Sequence, residues 1–130
     1  MYKILIIEDN ETVAAILKHV IKQKFNFSIQ RANNGLEGLK VIHAFDPDII
    51  LLDLFMPLMD GKEFLHKLRR TIKFKNTPVL VITSDNDKET IKELIGLGIS
   101  DYILKPIDPE ATAQRIQTII DGLKKSELNN

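Results

Sequence analysis

Cysteine is absent from the chain. Disulfides, thiolate metal sites and cysteine catalysis are therefore excluded. Net charge is absent too, since 18 Lys+Arg offset 18 Asp+Glu. Binding to nucleic acid or to a membrane surface through bulk charge needs a cationic excess, so neither is expected of this domain. No apolar stretch approaches the roughly 20 residues of a membrane-spanning helix, and no membrane insertion is expected. The N-terminus runs straight into a strand-like segment without a signal-peptide pattern, which makes the cytoplasm the expected compartment. Low-complexity sequence is lacking as well.

What remains is a globular composition, 44% hydrophobic and 28% charged over 130 residues. That is enough for one domain with a full core. Three near-continuous apolar runs occupy residues 4–7, 49–52 and 79–82. Strands apolar on both faces mark a parallel sheet covered by helices on each side. Residues 27–32 alternate instead, and residues 102–104 are short, so both suit sheet edges. Helical patterns fill the gaps. Val13, Ile16, Leu17, Val20 and Ile21 predict a first helix, with Asn10 placed to cap it. Leu36, Leu39 and His43 or Ala44 predict a second. Phe64, Leu65, Leu68 and Ile72 predict a third, begun by Asp60 and Glu63 at capping-box spacing. Ile91, Leu94 and Ile95 predict a fourth, ended by Gly96 or Gly98. Ala113, Ile116, Ile120 and Leu123 predict a fifth, behind the cap and first-turn pair Asp108 and Pro109.

The alternation gives (βα)5, an α/β doubly wound parallel five-stranded sheet with right-handed crossovers. With strands two and five outside, the order is 2-1-3-4-5, the flavodoxin-like arrangement. The domain is expected to span residues 1–122, and residues 123–130 to form a polar C-terminal tail or linker stub.

Ligands of such a sheet bind beyond the carboxyl ends of the strands, where the strand order reverses. Here that point lies between the first and third strands. Glu8 and Asp9 follow the first, and Asp53 ends the third. Three carboxylates in one crevice repel, and at least one pKa must rise. A hard, oxygen-preferring cation such as Mg2+ resolves the conflict. Asp53 closes a buried run, and Pro57 with Asp60 and Gly61 then forces a loop. Its carboxylate is thus both fixed and reachable. Thr83 and Ser84 end the fourth strand, while Lys105 and Pro106 follow the fifth. Carboxylate nucleophile, metal, hydroxyl and lysine are the parts that phosphoryl transfer calls for.

Glu8-Asp9, Asp53 with Met56, Pro57 and Gly61, Thr83-Ser84, and Tyr102-x-x-Lys105-Pro106 together resemble a response-regulator receiver domain of two-component signalling, of the chemotaxis-regulator type. The resemblance covers residues 2–122 in register. It implies that Asp53 is the phosphoacceptor, loaded from the phosphohistidine of a sensor histidine kinase or a histidine phosphotransfer protein. It implies Mg2+ ligated by Asp9, Asp53 and the Phe55 backbone carbonyl, with Glu8 acting through a metal-bound water. Thr83 and Lys105 are implied to touch the phosphoryl oxygens. Tyr102 is implied to be an aromatic switch that turns inward when Thr83 moves, altering the binding of a downstream effector. Dimerisation on phosphorylation is left open. So is whether the domain stands alone, serves as a relay intermediate or belongs to a longer regulator.

Two departures from the family pattern carry chemistry. Glu8 stands where Asp is more usual, adding one methylene. Phe55 places a large apolar side chain two residues after the acceptor, where, with Asp85, it is expected to influence phosphate lifetime by shielding the acyl phosphate from water. Plainer readings compete at single positions. Glu8-Asp9 could merely complement a helix dipole, Thr83-Ser84 could only cap the next helix, and Tyr102 could be an edge aromatic. Lys67, Arg69 and Arg70 read as a solvated face, as do His19 and His66. The polar side of the fourth helix, Lys88, Glu89, Lys92 and Glu93, is a candidate partner surface by the resemblance. Other functions fit less well. A flavodoxin-like cofactor binder needs a glycine- and hydroxyl-rich phosphate cradle after the first strand, where this chain has acids. An aspartate phosphatase would carry its nucleophile after the first strand. A degenerate receiver would lack part of the set. Because self-phosphorylation is not turnover of a free substrate, the reading is a switch rather than an enzyme.

Overall fold

The computed structural model describes residues 1–129. Five strands alternate with five helices: β1 (Lys3–Ile7), α1 (Glu11–Lys24), β2 (Ser28–Ala32), α2 (Gly35–Phe45), β3 (Ile49–Leu52), α3 (Gly61–Arg70), β4 (Val79–Thr83), α4 (Lys88–Gly96), β5 (Asp101–Leu104) and α5 (Pro109–Leu128). The sheet is parallel with the order β2-β1-β3-β4-β5. This is the (βα)5 arrangement expected from the three doubly apolar runs.

Alternation along those runs divides the core in two. Ile4, Ile6, Ile49, Leu51, Leu80 and Ile82 face Leu17 and Ile21 of α1 and Ile116 and Ile120 of α5. Leu5, Ile7, Ile50, Leu52, Val79 and Val81 face Ile42 of α2, Phe64, Leu65 and Leu68 of α3, and Leu94 of α4. Each such side chain, fully buried, contributes roughly 1.5–3 kcal/mol relative to exposure.

The helix starts follow the caps. Asn10, Asn34, Asp60, Asp87 and Asp108 each accept a backbone N–H of the first turn. At the end of α4, Gly98 has φ +74, its N–H donates to Ile95 O, and the Ile99 N–H donates to Leu94 O. This is the paired closure for which glycine is favoured.

Three expectations shift. Ile72 is not on α3: the helix stops at Arg70, Thr71 turns extended, and Ile72 is 85% exposed. Phe74, in the short 3-10 turn Ile72–Phe74, fills the core position instead. The inner face of α2 is Gly35, Gly38 and Ile42, with the expected Leu39 packed beside them, while Leu36, His43 and Ala44 are exposed. The two glycines let the helix lie against Met59, Ile7 and Phe64, where a Cβ would collide. Finally, α5 does not stop at Leu123 but runs on to Leu128, so most of the expected tail is helix. Helix-favouring Leu, Lys and Glu fill that stretch, and the Tyr2 hydroxyl donates to Glu127 Oε1 at 3.2 Å.

Candidate functional site

Asp53 lies one residue past β3, and its N–H donates to Ile7 O at 3.0 Å, which joins the ends of the two inner strands. The residue is only 5% exposed. Its Oδ1 accepts the Leu54 N–H at 2.8 Å, and Oδ2 lies 3.3 Å from the Lys105 ammonium. The chain then loops out and returns at Gly61, whose N–H donates to Leu54 O at 2.9 Å. A Cβ at Gly61 would overlap the Asp53 carbonyl oxygen and stand 2.8 Å from Leu54 Cα. Glycine is thus required for the returning arm of the loop to press on the Asp53 backbone. Within the loop, the Met59 N–H donates to Pro57 O at 2.8 Å across Leu58, whose φ is 69°. This three-residue turn is a strained conformation for leucine. Phe55 and Leu58 both point outward, 58% and 82% exposed.

The acidic pair comes from the end of β1. The Glu8 N–H donates to Ala32 O of β2 at 3.1 Å. The Glu8 side chain is buried; Oε1 meets Lys105 Nζ at 2.8 Å, and Oε2 accepts the Asn10 N–H at 3.2 Å. Asp9 is exposed. One carboxylate oxygen each from Glu8, Asp9 and Asp53 lies within 4.8 Å of the others. Burial pushes the Glu8 carboxyl above its usual range, and the bonds from Lys105 and Asn10 reverse this only in part, while Asp53 adds repulsion. Burial works against the Lys105 charge, but its hydrogen bond to Glu8 and the nearby Asp53 outweigh it and raise that pKa. Three carboxylates against one ammonium leave the crevice negative. The donors are all oxygen, which suits a hard divalent cation that keeps some of its water.

Thr83 ends β4 beside Leu104 of β5, fully buried, and its carbonyl accepts the Lys105 N–H at 2.8 Å. Hydroxyl and ammonium are thereby carried by adjacent strand ends. The bond from Lys105 to Pro106 is cis. Tyr102 packs against the core layer on the α2–α4 side, and its hydroxyl is buried without a hydrogen-bond partner among the described residues. Burial, then the charges of Asp85 and Asp87, raise its pKa.

The structure therefore brings Glu8, Asp9, Asp53 and Lys105 into one crevice, with Thr83 at the neighbouring strand end. Three residues have roles that the sequence reading did not assign. Arg31 of β2 donates from Nε to Glu8 O and from Nη2 to Asp9 O, both at 3.1 Å. Arg69 is not part of a solvated face: it donates to Leu97 O, Phe74 O, Thr77 O and Gly98 O at 2.7–3.1 Å. His66 meets Glu93 of α4 at 3.3 Å, alongside a Lys62–Glu93 ion pair of 2.9 Å. A side chain that grips distant carbonyls leaves no periodic trace, so only the basic residue type was visible.

The described residues include no helix long and apolar enough to cross a membrane. Fold, strand order and this constellation define a phosphoacceptor-type signalling domain. The family model for the response regulator receiver domain matches residues 4–117. The chain belongs to that family. It is 34% identical over 130 residues to the probable C4-dicarboxylate response regulator DctR of Bacillus subtilis, covering 99% of this chain and 57% of that one. It is 38% identical over 111 residues to the sensor histidine kinase CheAY of Helicobacter pylori, covering 84% of this chain and 14% of that one. Among solved structures, the chemotaxis protein CheY4 of Vibrio cholerae superposes with a TM-score of 0.85 at 27% identity, over 92% of this chain and 98% of that one. The chain thus spans little more than half of the DctR relative's length.

Proposed function

We propose that this domain is a phosphorylation-controlled switch in the cytoplasm, in which Asp53 takes a phosphoryl group from a phosphohistidine. The observation that carries the reading is the Asp53 carboxylate, held at the mouth of the sheet against Lys105 and within reach of Glu8 and Asp9. Asp53 Oδ2 attacks phosphorus, the P–N bond to the donor imidazole breaks as the P–O bond forms, and the imidazole leaves and takes a proton. Glu8, Asp9, Asp53 and the Phe55 carbonyl would hold Mg2+, which when bound neutralises charge on the transferring group. Lys105 pairs with one phosphoryl oxygen and the Thr83 hydroxyl donates to another. Because Thr83 and Lys105 terminate strands bonded to each other, that contact pulls on the segment leading to α4, and Tyr102 sits beneath it. Partner binding then changes if the two arrangements differ by only a few kcal/mol.

The donor is a sensor histidine kinase or a histidine phosphotransfer protein, in keeping with the regulators and histidine kinases among the relatives. The reading is of a switch and not of an enzyme acting on free substrate. Incubation with a small phosphodonor and Mg2+ is expected to add one hydroxylamine-labile phosphate by intact mass. Asp53→Asn is expected to abolish it. A wild-type protein that stays unmodified, or an unchanged yield in Asp53→Asn, refutes the proposal.

A further inference from the structure

The turn carrying the acidic pair is short and nearly free of its own bonds. Glu8 is fixed by its N–H to Ala32 and by both carboxylate oxygens. Asp9 is exposed, and among the described residues its one hydrogen bond is that from Arg31 Nη2 to its carbonyl. Arg31 reaches this turn from the edge strand. It spans two consecutive carbonyls with the two arms of one guanidinium, and it has no carboxylate partner among the described residues. A planar fork gripping two successive peptide units fixes their orientation as a single donor would not. Fixing the peptides on both sides of the Asp9 Cα fixes the direction in which its side chain leaves the backbone.

We infer that Arg31 is a positioning residue for the divalent-cation site, aiming the Asp9 carboxylate into the crevice by clamping the Glu8 and Asp9 carbonyls. The inference rests on the proposed role of the acidic pair as metal ligands. It has a feature that a merely electrostatic or structural role lacks. Arg31 is itself a cation near the site, so Coulomb's law alone says that its removal strengthens divalent binding. Loss of a clamp says the reverse, because outer-shell partners that orient ligands govern metal affinity.

The test is Mg2+ titration by calorimetry, without phosphodonor, on the whole chain, with thermal melts to verify that each variant is folded. Arg31→Met is expected to weaken Mg2+ binding by about tenfold, within the range seen for outer-shell ligands. Arg31→Lys keeps the charge but reaches only one carbonyl, so binding is expected to weaken by a smaller factor. Binding that is unchanged or tighter in Arg31→Met, or unchanged in Arg31→Lys, overturns the inference while leaving the phosphoacceptor reading intact. A wild-type chain that binds no Mg2+ overturns both.

Discussion

Arg69 offers a sharp test of the packing argument. Its four bonds join three stretches of chain: the short turn after α3, the lead into β4 and the turn between α4 and β5. Replacement by methionine keeps most of the apolar stem and removes only the donors. Three of the bonds are partly buried, and the one to Gly98 O is exposed enough for water to replace it. At about 1 kcal/mol net for each of the three, the loss comes to about 3 kcal/mol. Burial also works against the guanidinium charge and lowers its pKa, so relief from desolvation returns part of that loss. The expected destabilisation is about 2–3 kcal/mol, or roughly 1–2 M in the urea midpoint for a domain of this size. Arg70→Met, on the exposed side of the same helix, is the control and should stay within about 0.5 kcal/mol. Equilibrium urea unfolding followed by far-UV circular dichroism measures both. If Arg69→Met shifts the midpoint no further than Arg70→Met, the carbonyl clasp is not holding these segments.

Other outcomes follow from the site. Tyr102→Phe removes a buried hydroxyl without a partner and should stabilise the fold by about 1 kcal/mol at neutral pH. Because the folded Tyr102 holds its proton above the ordinary phenol range, the wild type should lose stability as pH rises from about 10 through that raised value, and Tyr102→Phe should lose less, keeping only the alkaline loss from groups such as Lys105 whose pKa is also raised; parallel melts across alkaline pH decide this. Gly61→Ala should displace the Asp53 backbone, costing about 2 kcal/mol or more in urea unfolding and slowing phosphorylation by small donors. Phe55→Asn, a change at an exposed side chain two residues after Asp53, should leave stability within about 0.5 kcal/mol but speed hydrolysis of the phosphorylated protein; an unchanged decay rate refutes shielding by the ring.

Much of the fold was legible because burial on both faces leaves a strong mark. The runs ending at Ile7, Leu52 and Ile82 are apolar at every position, as in a covered parallel sheet. The caps were legible because Asn10, Asp60 and Asp108 act on residues only two or three positions away. What escaped the sequence depends on partners far along the chain. Whether Lys105 meets Glu8 more closely than Asp53 is decided by the extra methylene of Glu8 and by where β1 and β5 end in space. Arg31 and Arg69 act on carbonyls at separations of 5 to 29 residues, and backbone acceptors carry no residue identity. On α2, Gly35 and Gly38 share the inward face with Leu39 and Ile42, and a search for large apolar side chains passes over the glycines.

Every side chain of β3 and β4 is buried, and so are four of the five in β1. Both surfaces of that plate are jammed with branched aliphatic groups, so it has no soft direction in which to bend. In the proposed switch, a charge arriving at one rim would then be read along that rim, through the loops that leave β4 and β5 and the helix between them, which buries Leu94 alone. The stiffness of the middle would keep such a message local and its reading surface small.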